Sequence, residues 1–285
     1  MISVIIPTFN RGYAIKKSVE SVLNQGNMIS EVIIVDDNST DDTRNVICSI
    51  NDSRIKYIKS NVSIGACKAR NIGIDISKGE LIAFHDSDDI WHKNKIKKQF
   101  QILQQENCDI VCSGYNQIYN ENTTYIGKNV LSEHIYHELI KENFIGTPTI
   151  FGKKECFIKN KFDDNMPRLQ DWELMLRLAK EYKIYFFNKP LVDAYIQENS
   201  ITKSKVKALK ALKIILEKNK DFINGNKELL ELYYRKIAVF SLYCDEKDVM
   251  YFKKAFKVNK NYKTFIDYIL INLNLKKILK MIHKC

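Results

Sequence analysis

Proline and glycine are scarce in this chain, with four prolines and ten glycines among 285 residues. With 45% hydrophobic and 28% charged residues beside them, that scarcity excludes a collagen-like or low-complexity chain and argues against global disorder. No Cys-x-x-Cys pair occurs. The seven cysteines, at 48, 67, 108, 112, 156, 244 and 285, are scattered. An odd number without framework spacing points to reduced thiols in a cytosolic setting, not to a disulfide scaffold or a zinc site. No window approaches the roughly 18 uncharged apolar residues of a membrane span. The opening MISVIIPTFN lacks the basic start, long apolar run and small-residue cleavage site of a signal peptide.

Acidic residues are depleted in one part only. Residues 1–202 carry 25 Lys/Arg against 26 Asp/Glu, whereas 203–285 carry 20 against 8, so the net charge of +11 comes from the last 83 residues. This asymmetry predicts a boundary near 200, with domains 1–202 and 203–285, and an anionic partner for the basic part.

What is present is an alternation. SVIIP, EVIIVDD, RIKYIK, ELIAFHD and CDIVCSG read as strands, with RGYAIKKSVESVLNQ, DDTRNVICSI, GACKARNIGIDISK and WHKNKIKKQFQILQQ as the helices between them. Such alternation predicts an α/β fold with a mostly parallel sheet and helices on both faces. Further on, YNQIYNENTTYIG reads as a hairpin, HIYHELIKENF and QDWELMLRLAKEY as helices, and IYFFN and LVDAYI as two more strands. After Ser200 every segment reads helical, ending in DYILINLNLKKILKMIHK.

Ligands of parallel α/β sheets bind outside the C-terminal strand ends. Three strands end there in polar residues: Pro7-Thr8-Phe9-Asn10, Asp36-Asp37-Asn38 and Asp86-Ser87-Asp88-Asp89. In LIAFHDSDDIW, three carboxylates fall within four positions. Crowded like charges raise one another's pKa, so a bound divalent cation or free exposure in a turn must relieve them. The same residues also suit helix N-caps.

In order and spacing, SVIIPTFNRGYAIKKSVESVLNQ, VIIVDDNSTDDT, ARNIGIDISKGELIAFHDSDDIW and QDWELMLRLA closely resemble the family 2 glycosyltransferases, over roughly residues 1–200. The resemblance implies a Rossmann-like GT-A fold, here followed by a helical C-terminal extension, and inverting transfer of a sugar from a nucleotide diphosphate. It implies Asp86 and Asp88 as the D-x-D, with Asp88 the direct ligand of Mn2+ or Mg2+ and Asp89 coordinating or orienting. It implies Asp37 on the nucleobase, Pro7, Thr8 and Asn10 lining that pocket, and Arg70 facing donor phosphate or base. Asp171 matches the catalytic base, and Trp172 beside it either stacks on a sugar or packs in the core. One departure stands out: where the family often has Tyr-Arg-x-His-x-x-Ser, this chain has AYIQENSIT, with Tyr195 at the Arg position and Gln197 at the His position.

His85 reads as a half-buried strand residue and Trp91 as packing. At about 100° per residue, Lys276, Lys277, Lys280, His283 and Lys284 share one side of the last helix, opposite Leu275, Ile278, Leu279 and Ile282. That helix either lies on an anionic membrane surface or packs on the catalytic domain with its lysines in water. By family analogy, the expected enzyme is cytoplasmic and peripheral on the inner face of a bacterial plasma membrane. It moves glucose, galactose or an N-acetylhexosamine from a UDP-sugar, with a β-linkage, to an oligosaccharide or lipid-linked acceptor of O-antigen, capsule or lipopolysaccharide synthesis. A catalytically degenerate sugar-nucleotide-binding module is the alternative; the intact Asp88 and Asp171 argue against it, while Gln197 keeps it open. A D-x-D phosphatase is disfavoured because Ile90 stands where Thr or Val would be and, more tellingly, because the motif follows the fourth strand and not the first. No motif supports nucleic-acid binding.

Overall fold

The computed structural model describes residues 1–197, 204–244 and 250–283. These residues belong to two compact units, 1–164 with 170–197, and 165–169 with the chain beyond 197.

The first unit opens with β1 (Ile2–Thr8), α1 (Ile15–Leu23), β2 (Ile29–Asp36), α2 (Thr43–Cys48), β3 (Ile55–Lys59), α3 (Ala66–Ile76) and β4 (Leu81–Phe84). It continues through β5 (Ile90–Trp91), α4 (Lys95–Gln105), β6 (Ile110–Tyr119), β7 (Asn122–Ile126) and α5 (Ile135–Leu139). Then come β8 (Phe151–Lys153), α6 (Lys154–Lys159), α7 (Gln170–Glu181) and β9 (Ile184–Tyr195). Nine strands form one sheet in the order β3-β2-β1-β4-β8-β6-β9-β5, with β7 beside β6. The first four strands are mutually parallel. The other half is mixed: β8 runs antiparallel to β4 and β6, and β9 is parallel to β6. The sheet is therefore a parallel Rossmann-like half carrying a mixed half, the GT-A arrangement.

Both faces of the parallel half are apolar because both are covered. Val4, Ile6, Val32 and Ile34 lie in the cluster that includes Ile15, Val19 and Val22 of α1. Ile33 and Val35, one residue out of step, pack on Ala69 of α3. Register aligns the strand ends: Thr8 stands opposite Asp36, and Ile5 opposite both Ile33 and Phe84. The polar residues that follow β1, β2 and β4 thus emerge at one rim.

Several elements differ from the sequence expectation: β8 and α6 have no counterpart in it, and CDIVCSG and the first arm of the YNQIYNENTTYIG hairpin form one strand, β6. Trp91 starts no helix; with Ile90 it forms β5, paired to Val192 and Asp193, and α4 begins only at Lys95. IYFFN and LVDAYI are one strand, β9, whose register on β6 shifts near Pro190, so the proline sits at an irregularity and not in the regular ladder. The last predicted helix is two.

The second unit is helical: α8 (Lys205–Lys218), α9 (Lys220–Asn224), α10 (Lys227–Leu242), α11 (Tyr251–Val258), α12 (Tyr262–Asn272) and α13 (Lys276–Ile282). Asn274, with φ 57°, separates α12 from α13, a left-handed position that asparagine tolerates. Ala238, Leu242, Phe252 and Leu279 form a core here. Among the described residues, no helix is long and apolar enough to cross a membrane.

Candidate active site

The turn Asp86–Asp89 is closed by the Asp89 N–H donating to the Asp86 carbonyl at 3.2 Å, and Ser18 Oγ of α1 donates to the same carbonyl at 3.0 Å. This anchoring separates the three carboxylates. Asp86 accepts from Arg70 Nη2 at 2.8 Å, and Asp88 from Arg11 Nε at 3.0 Å. Asp89 points inward and accepts from the Tyr195 N–H at 3.0 Å. Burial pushes the Asp88 carboxyl above the usual range; Arg11 opposes the shift and Asp86 adds to it. Asp89 is raised well above that range by burial, then by Asp86 and Asp88. Of the three, Asp89 is a strut tying the turn to β9, while Asp86 and Asp88 are half-buried and held by arginines.

Asp37 is buried and brackets the loop before α3. Its carboxylate accepts from the N–H of Ile64, from Ser63 Oγ at 3.1 Å and from the Gly65 N–H at 3.0 Å. Three of a carboxylate's roughly four lone-pair sites are thereby used, leaving about one for a ligand N–H. Asn10, at φ 51°, turns the chain after β1. It locks the neighbouring loop: its N–H donates to Ser39 Oγ at 2.9 Å, and its Oδ1 accepts from the Thr40 N–H at 2.9 Å. Pro7 pairs with Val35 in the ladder, and buried Thr8 Oγ1 has no hydrogen-bond partner.

Arg70, on α3, joins this rim to a second one. Its Nη1 donates to Gln170 Oε1 at 2.9 Å while Nη2 holds Asp86, and the ion pair is largely buried. Gln170 and Asp171 open α7, where a carboxylate also suits the helix dipole. Asp171 Oδ1 accepts from the Trp172 N–H at 2.7 Å and from Asn143 Nδ2 at 3.2 Å. Burial raises the Asp171 carboxyl above the usual range, opposed by the Trp172 N–H and Arg70 and assisted by Asp86. A carboxylate whose proton affinity is raised in this way is a better proton acceptor at neutral pH.

Other sequence-selected residues take structural places. Trp172 is buried and donates from Nε1 to the Leu139 carbonyl at 2.6 Å, which leaves it to packing and not to sugar stacking. Trp91 is buried too, donating to the Pro148 carbonyl at 3.1 Å. His85 is fully buried instead of half-buried, with neither ring nitrogen hydrogen-bonded; burial, with Lys95 adding, pushes it down to about 3, so it stays neutral. Gln197 lies two residues beyond the Tyr195 N–H that holds Asp89. Two residues of the site carry no signal in the sequence reading: Arg11, although it stands directly after PTFN, and Asn143, which has no motif around it.

Among the described residues, no three His, Cys, Asp or Glu side chains converge as a metal-ligand set. Asp86 and Asp88, two half-buried carboxylates without imidazole or thiolate, fit a hard cation that brings phosphate and water oxygens as its other ligands, not a cage made by protein alone.

A Rossmann-like sheet whose strand ends gather an arginine-linked D-x-D and a buried carboxylate at a helix start defines a GT-A glycosyltransferase frame. The chain belongs to glycosyl transferase family 2, whose family model matches residues 3–164. It is 31% identical over 237 residues to the Escherichia coli UDP-Glc:alpha-D-GlcNAc-diphosphoundecaprenol beta-1,3-glucosyltransferase WfgD, covering 82% of this chain and 90% of that one. It is 35% identical over 214 residues to WfaP, an E. coli enzyme of the same description, covering 73% and 82%. Among solved structures, S. aureus TarS 1-349 in complex with UDP-GlcNAc superposes with a TM-score of 0.62 at 17% identity, over 94% of this chain and 78% of that one. The chain spans 43% of the length of another solved TarS chain, and 32% of an uncharacterized glycosyltransferase of Rickettsia conorii.

Proposed function

We propose that this protein is an inverting, metal-dependent hexosyltransferase of bacterial cell-surface glycan synthesis. It takes glucose first among the candidate sugars from its UDP conjugate and forms a β-linkage on a polyprenyl-diphosphate-linked saccharide. The observation that carries the reading is the Arg70 bridge, because one guanidinium fixes Asp86 of the donor rim and Gln170 next to Asp171. Two E. coli relatives named as UDP-Glc:alpha-D-GlcNAc-diphosphoundecaprenol glucosyltransferases support the sugar, the acceptor class and the linkage.

In this reading Asp37 takes the base N–H with its remaining lone pair, while Pro7, Thr8 and Asn10 wall the base and ribose. Asp88 and Asp86 would hold Mn2+ or Mg2+, which when bound would neutralise charge on the departing diphosphate. Asp89 fixes the turn that presents them. Asp171 accepts the proton of the acceptor hydroxyl as its oxygen bonds to the anomeric carbon, opposite the breaking bond to phosphate; the α-linked donor so gives a β-product. Asn143 and the Trp172 N–H hold that carboxylate in place.

The test is calorimetry of UDP-sugars, with and without Mn2+, on the full chain, together with transfer assays on a lipid-linked N-acetylglucosamine acceptor. Cation-dependent binding of one UDP-hexose, lost in Asp88→Ala, is expected. Asp171→Asn is expected to keep that binding and to lose about 10²–10⁴-fold in kcat. Normal turnover by Asp171→Asn would remove it from the base role. The absence of binding by any donor would favour the degenerate module.

The second unit supports a peripheral site of action. Along α12 and α13, Tyr262, Phe265, Leu273, Ile278 and Met281 are exposed, beside exposed Lys276 and Lys277. The one carboxylate of these two helices, Asp267, is buried on Arg235 and His283. An apolar surface with lysines and no exposed carboxylate suits anionic lipid on the inner face of the plasma membrane, where a lipid-linked acceptor resides. His283 leaves the basic side for that buried pair, and Lys284 lies outside the described residues.

A further inference from the structure

Each carboxylate of the Asp86–Asp89 turn has a partner supplied by the protein, and the partners differ in how firmly they are held. Arg70 is buried and also bound to Gln170. The partner of Asp89 is a backbone N–H of β9. Arg11, the partner of Asp88, is the exception. Its backbone is fixed, the N–H donating to Thr43 Oγ1 at 2.8 Å, but its side chain is partly exposed. Beyond Asp88, among the described residues, its guanidinium reaches the Phe9 and Asn10 carbonyls, both at 3.3 Å, and lies 5.9 Å from the Tyr13 ring centroid.

We propose that Arg11 is a releasable counterion of the D-x-D that gates cation binding and then contacts the donor diphosphate. The inference rests on the metal-dependent reading above. A guanidinium 3.0 Å from Asp88 Oδ2 occupies the approach a cation needs, and a dication there repels it at short range. Arg11 is displaced with its backbone still anchored, so its guanidinium stays at the rim. Diphosphate oxygens match its planar donor fork better than the two backbone carbonyls do. Cation alone therefore binds against Arg11, whereas cation with nucleotide binds with its help, and the two ligands become positively coupled.

The test titrates Mn2+ into the full-length protein, following the free aquo ion by electron paramagnetic resonance, without and with UDP, for wild type, Arg11→Ala, Arg11→Lys and Asp88→Asn. Arg11→Ala is expected to bind Mn2+ alone on the order of 10-fold more tightly than wild type. At saturating Mn2+ it is expected to bind UDP on the order of 10-fold more weakly. Arg11→Lys keeps the charge but loses the fork; it should fall between the two, and it carries the test if the alanine variant does not fold. Unchanged or weaker Mn2+ binding by Arg11→Ala, or unchanged UDP binding, overturns the proposal. If Asp88→Asn weakens Mn2+ binding while Arg11→Ala leaves it unaltered, the gate alone falls. If no variant binds Mn2+ with or without UDP, the metal-dependent reading falls and takes the gate with it.

Discussion

Lys95 is the least expected residue of the first unit. It is fully buried at the start of α4, donates to Gln99 Oε1 at 2.6 Å and lies 4.0 Å from the Trp91 ring centroid. Burial pushes its ammonium down to about 7 from the ordinary 10.5. Between those two values the unfolded chain holds a proton that the folded chain has released, so this group makes stability rise with pH across that window. Lys95→Met removes the effect. The stability of Lys95→Met relative to wild type should therefore fall by about 1–4 kcal/mol between pH 7 and pH 10. Urea unfolding at a series of pH values checks this, and any contribution from leaving Gln99 Oε1 without its donor is the same at every pH. The residues of the site were legible to different degrees. Asp86, Asp88 and Asp171 sit in recognisable runs of sequence, because a turn after a strand and the start of a helix are local structures. Arg11 and Asn143 acquire their places only when residues 77 and 28 positions away in the chain, Asp88 and Asp171, come into contact.

Among elements, α3 shows how closely local sequence and packing are matched. Gly73 faces β1, and a Cβ there would stand 2.4 Å from Ile5 Cγ2. Gly73→Ala is expected to cost about 1–3 kcal/mol despite alanine's better helix propensity. Ile5→Ala should recover part of that loss in the double variant, because it removes the clashing branch. Urea midpoints of the three variants and wild type form the cycle; additive losses would mean that helix and strand do not meet at this point. Elements with a regular period were readable from the sequence: β1 to β4 and α1 to α3 stand where the β-branched runs and helical patterns put them. β5 was not, since two residues carry no period and Trp91 becomes a strand only by pairing with Val192. The division of the last helix was hidden for a similar reason, because the apolar pattern runs on through Asn274 while the backbone there is left-handed.

Over the whole molecule, charge divides more sharply than hydrophobicity, with the net positive charge confined to residues 203–285. If α12 and α13 meet anionic lipid, Lys276→Glu/Lys277→Glu/Lys280→Glu should lower partition onto phosphatidylglycerol vesicles by at least about 10²-fold. Each lysine near such a surface contributes about 1 kcal/mol. Cosedimentation should show the wild-type binding weakening with added salt. Equal binding of wild type and variant would assign the exposed apolar residues to another partner. By itself the sequence determined the α/β class, the first four strands with the helices between them, the acidic and polar strand ends and the basic C-terminal part. Each of these is written in local periodicity, turn chemistry or composition. Only the tertiary structure decided the mixed half of the sheet, the arginine partners of Asp86 and Asp88, the inward turn of Asp89 and the burial of Lys95 and His85. Those depend on which distant strands and helices become neighbours, and contacts between distant residues leave no period in a single sequence.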